Sequence, residues 1–65
     1  MNYLLDALCK KLEGDMAMAF ANIKAYERSV VGIGEHPEIV QAIEMEVAKL
    51  AEAEDKLEAI KRHFS

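Results

Sequence analysis

Apolar residues recur at alternating spacings of four and three along one long segment: Leu5, Cys9, Leu12, Met16, Ala19, Ile23, Tyr26 and Val30. After a short glycine-containing break, a second series runs Ile39, Ile43, Glu46, Leu50, Ala53, Leu57, Ile60 and Phe64. Four-three spacing lays a stripe along one face of an α-helix. Folded back at the break, the two stripes are mirror images. Leu5 meets Phe64, Cys9 meets Ile60, Leu12 meets Leu57 and Met16 meets Ala53. The remaining layers are Ala19 with Leu50, Ile23 with Glu46, Tyr26 with Ile43 and Val30 with Ile39. Such a seam predicts an all-α fold, a two-helix antiparallel hairpin.

The chain has 65 residues, room for a single domain over 1–65 and for no second core. Helix 1 is expected over about 3–31, a turn over 32–36 and helix 2 over about 37–63. Chains shorter than ~70–80 residues draw only a few kcal/mol from one core unless disulfides, a metal or further chains add to it. One cysteine excludes an internal disulfide, while 52% of the residues are hydrophobic. Self-association remains, and it predicts that the hairpin dimerises into a four-helix bundle.

Local signals agree with this layout. Asn2 is suited to cap helix 1, with Asp6 near the positive helix end and Lys24 and Arg28 near the negative one. Gly32 and Gly34 permit the left-handed backbone that closes a helix. Pro37 fits the first position of helix 2, with His36 before it as N-cap. Gly14 interrupts the composition of helix 1, yet the stripe keeps phase from Leu12 to Met16, so one continuous helix is expected; the alternative is a stop at Glu13-Gly14-Asp15 and a new start.

The outer faces differ. Residues 1–34 carry four acids and four bases, whereas residues 35–65 carry eight acids and four bases, which accounts for the whole net charge of −4. Helix 2 therefore shows a solvated acidic face, with Glu52–Lys56 and Glu58–Arg62 as expected ion pairs. Helix 1 has a small, apolar middle at Gly14, Ala17 and Ala21. Leu8, Phe20, Val40 and Val47 flank the seam and make each stripe wider than one partner helix buries. The expected dimer interface is Leu8, Met16, Ala19, Phe20, Ile23 and Val47, with a second copy as the partner and another helical protein as the other candidate.

Catalytic, cofactor and metal sites are not expected. His36 and His63 lack the Glu three residues earlier that a carboxylate-bridged dimetal bundle requires, and they fall at opposite ends of helix 2. Cys9 sits on the seam as a small core residue. No phosphate loop, zinc spacing or nucleophile elbow is present. The longest apolar run, Met16 to Ala21, is far short of the ~20 residues that span a bilayer. Asp6, Lys10 and Lys11 break up the N-terminal apolar residues, so no secretory signal is read, and a cytoplasmic protein with a reduced thiol is expected.

Glu46 alone breaks the seam. The preferred reading rotates Val47 into the core and leaves Glu46 at its edge beside Lys49. The other reading is a buried polar group that fixes register or partner choice. In function the chain reads as a non-enzymatic interaction or structural module. The alternative is an RNA-binding regulatory hairpin that uses Lys10, Lys11, Lys24 and Arg28. In length and layout the chain resembles the small repressor-of-primer hairpins, which dimerise and bind paired RNA loops through their first helices; the likeness is architectural, with no shared motif, and the acidic net charge opposes phosphate binding.

Overall fold

The computed structural model describes residues 2–29 and 36–65. Two helices, α1 (Tyr3–Ser29) and α2 (His36–Phe64), pack against each other as a hairpin. Its extents are 48 × 14 × 12 Å.

Helix α1 starts as its sequence dictates. The Leu5 N–H donates to Asn2 Oδ1 at 2.9 Å, and the Asn2 carbonyl accepts the first helical bond from the Asp6 N–H at 3.0 Å. This is the geometry of an N-cap, which satisfies amide groups that have no partner inside the first turn. The helix then runs through Gly14 without a break. Packing of the stripe on both sides of Gly14 outweighs the local glycine penalty. At its end Arg28 lies in the last turn. Helix α2 begins at His36, one residue before the expected start, and ends at Phe64, with Lys61, Arg62 and His63 in the last turn. The Ser65 hydroxyl donates to the Lys61 carbonyl there. The expectations for Val30, Gly32 and Gly34 lie outside the described residues.

The core follows the mirrored stripes. Leu12, Ala53, Leu57 and Ile60 form one buried cluster, with Leu5, Cys9 and Met16 packed against it. Ala19 is the most buried of the core residues, at 1% exposure. Ile23, Tyr26, Ile39, Ile43 and Leu50 are half-buried along the same seam. Met16 packs against the cluster that holds the small Ala53, in line with the large-against-small layers the seam predicts. The cluster is made of residues that the expected register brings together, and the hydrogen bond from Asn22 to Glu46 lies within one residue of that register. Phe64 departs from it: the ring is 59% exposed. It is the last residue of α2, and no further layer exists there to cover it.

Candidate interaction surface

The seam divides the surface of the hairpin into two edges. On one edge a groove lies between the helices, floored by Leu12, Ala19 and Ala53. Asp15, Met18 and Asn22 of α1 and Glu46, Lys49, Glu52 and Lys56 of α2 form its walls. Glu46 is the seam residue at this point, and it is buried at 8% exposure while Val47 is 46% exposed. The expected rotation of Val47 into the core does not occur. Turning α2 to bury Val47 would carry Leu50 and Ala53, which share the seam face with Glu46, away from α1.

Burial of this carboxylate is met by hydrogen bonds to both of its oxygens. Asn22 Nδ2 donates to Oε1 at 3.1 Å across the helix interface, and Lys49 Nζ donates to Oε2 at 3.2 Å. The Asn22 hydrogen bond, then that of Lys49, holds the Glu46 carboxyl below its ordinary pKa, against the opposing effect of burial. The sequence places Lys49 beside Glu46; Asn22 comes to it only through the fold. The mirror pairs Glu46 with Ile23, and Asn22 precedes Ile23 on the groove side. An amide one position off the seam, level with its only charged member, is the sequence signal for this contact.

The other charges of this edge are paired within their own helices. Lys11 meets Asp15 at 2.8 Å, and Lys56 meets Glu52 at 2.8 Å. The Lys56 hydrogen bond and charge lower the Glu52 pKa, and Glu52, with a smaller effect from Asp15, raises that of Lys56. Asp15 and Lys56 both line the groove, one from each helix. The expected Glu58–Arg62 pair is not among the ion pairs of the described residues. No buried side-chain polar atom lacks a hydrogen-bond partner among the described residues. Among the described residues no group of His, Cys, Asp and Glu is arranged to hold a metal.

The six residues expected at a dimer interface separate into two sets. Ala19 is buried, and Met16 and Ile23 are half-buried, all within the seam of the single hairpin. Ala19 has no surface left to give a second chain. In the single hairpin these three occupy the face that α2 covers. Leu8, Phe20 and Val47 remain open, at 41%, 52% and 46% exposure. Helical phase places Leu8 on the groove edge, and Phe20, Val40 and Val47 on the opposite edge. Val40, at 63%, is likewise exposed.

The four cations of the RNA-binding alternative are exposed, but they do not make one basic surface. Lys11 lies about 100° round the helix from Lys10 and is engaged by Asp15. Glu13 and Glu27 alternate with Lys10 and Lys24 along α1. No helix among the described residues is long and apolar enough to cross a membrane. No family model, curated protein or solved structure matches the chain.

Proposed function

We propose that the chain is a non-catalytic interaction module that works as a homodimer, two hairpins packing into a four-helix bundle. The observation that carries this reading is the imbalance between core and surface. Among the described residues five apolar side chains are buried, while Phe20, Val40, Val47, Met18, Met45, Leu4 and Leu8 are all exposed. The accessible surface is 5032 Å² for a mass of 7.3 kDa, against about 4,200 Å² for a compact monomer of that mass. The radius of gyration, 15.0 Å, exceeds the ~11 Å of a compact chain of this length. The excess surface of roughly 800 Å² matches the ~800 Å² that each partner buries in a standard interface. A second copy meets that need with no further gene product, and symmetric dimers are the commonest solution. The RNA-binding alternative is weaker on the same surface, since carboxylates interrupt its cations and the chain is acidic overall.

Sedimentation equilibrium and thermal melting across protein concentration test the proposal. A dimer is expected whose melting temperature rises with concentration. Phe20→Glu should dissociate it, whereas Asp55→Lys, on the exposed outer face of α2, should not. A folded monomer at micromolar concentration, with melting independent of concentration, would overturn the reading.

A further inference from the structure

On the edge away from the groove, α1 carries a second stripe. Lys10, Glu13, Ala17, Phe20, Lys24 and Glu27 recur at spacings of three and four, so they share one face, about a quarter turn from the seam. All six are exposed. Among the described residues, the ion pairs involve none of the four charges. The stripe is complementary to itself. Laid antiparallel on a second copy, it sets Lys10 opposite the partner's Glu27 and Glu13 opposite the partner's Lys24. Between them Phe20 lies opposite the partner's Ala17, and symmetry repeats each contact. Every charged contact joins opposite signs, and each phenyl ring faces a methyl group.

We propose that a second copy of this chain docks on this edge, about a two-fold axis passing between Ala17 and Phe20, with α1 antiparallel to its counterpart. The inference rests on the self-association proposed above and names the surface that performs it. The seam register pairs Ala19 with Leu50, so the same axis crosses α2 between Leu50 and Ala51 and sets Val47 level with the partner's Glu54. Helix α2 therefore does not itself select this arrangement; α1 does, with the large Phe20 against the small Ala17 in the layers nearest the axis. The other symmetric packing lays α1 over the opposite helix of the second copy. It would set Lys10 near the partner's Glu58 and Lys24 near the partner's Glu44. It would also press Glu13 on the partner's Glu54 and Glu27 on the partner's Val40. Only the α1-on-α1 packing satisfies every charge of the α1 stripe.

The two packings predict opposite signs for one substitution. Sedimentation equilibrium at low salt would compare the unmodified chain with Glu13→Lys, Lys24→Glu and the double variant. Helical circular dichroism would confirm that each is folded, as expected for exposed positions. Each single change turns two symmetry-related attractions into repulsions, so dimerisation should weaken about tenfold. The double variant restores opposite charges and should return to within about threefold of the unmodified chain. If Glu13→Lys strengthens the dimer, α1 packs on the opposite helix and the proposed axis is wrong. If the unmodified chain dimerises and the single changes have no effect, this surface is wrong while self-association stands. If the unmodified chain is a monomer throughout, both fall.

Discussion

Gly14 tests whether α1 is one helix. It lies mid-helix between Tyr3 and Ser29, it is exposed, and a methyl group built on it meets nothing within 4 Å. Gly14→Ala therefore creates neither a contact nor a clash, and only the backbone term changes. Alanine is favoured over glycine in a helix interior by about 1 kcal/mol, because the unfolded glycine has more freedom to lose. A domain of 65 residues has a total stability of roughly 3–10 kcal/mol, so the gain is a sizeable fraction. With a urea dependence of about 1 kcal/mol per molar for a small protein, the midpoint should rise by about 1 M. The melting temperature should rise by about 4–8 °C. Urea titration followed by circular dichroism, at one fixed protein concentration, reads both. Gly14→Pro sets the opposite bound, since proline removes a helical hydrogen bond and clashes with the preceding turn at a cost of about 3 kcal/mol. Gly14 lies off the Lys10–Glu27 stripe, so the alanine variant should leave dimerisation unchanged. A neutral or destabilising Gly14→Ala, or a well-tolerated Gly14→Pro, would refute the continuous helix with an open face at this position.

Leu12 and Leu57 sit in the buried cluster at 3% and 9% exposure, and truncating either to alanine should cost about 2–5 kcal/mol; a loss below about 0.5 kcal/mol in urea titration would contradict the seam. For Glu46, the folded carboxyl lies below its ordinary value of 4.5 because of Asn22 and Lys49. Its contribution to stability is then present above that value and is lost as pH falls through the lowered folded one. Stability should therefore drop more steeply on acidification in the unmodified chain than in Glu46→Gln, and equal slopes would show that the buried carboxylate contributes nothing. Asn22→Ala should raise the Glu46 pKa toward the ordinary value in an NMR titration; an unmoved value would remove Asn22 as the principal cause. Neutralising Lys10, Lys11, Lys24 and Arg28 tests the RNA alternative: absence of RNA retention by the unmodified chain at low salt dismisses it, whereas a salt-steep affinity lost in the variant would favour it over simple self-association.

Periodicity determined the hairpin. The mirrored four-three spacing fixed which residues face inward from Leu5 to Tyr26 and from Ile39 to Ile60, because one face of a helix is a property of the chain's own geometry. The Asn2 cap was equally local, a side chain answering an amide three residues on. The sequence also placed Phe20 and Val47 beside the seam, where they remain open. Tertiary structure decided matters in which two helices act on one side chain. Whether Glu46 or Val47 turned inward depended on Leu50 and Ala53 holding the phase of α2, and Asn22 became the carboxylate's donor only when α1 lay at the matching level. Packing likewise assigned Met16, Ala19 and Ile23 to the hairpin's own core, since a stripe seen in one chain does not say whether its cover comes from the same chain or a second. Gly14 was decided the same way: the stripe on either side of it is buried against α2, and that burial outweighs a local preference worth about 1 kcal/mol.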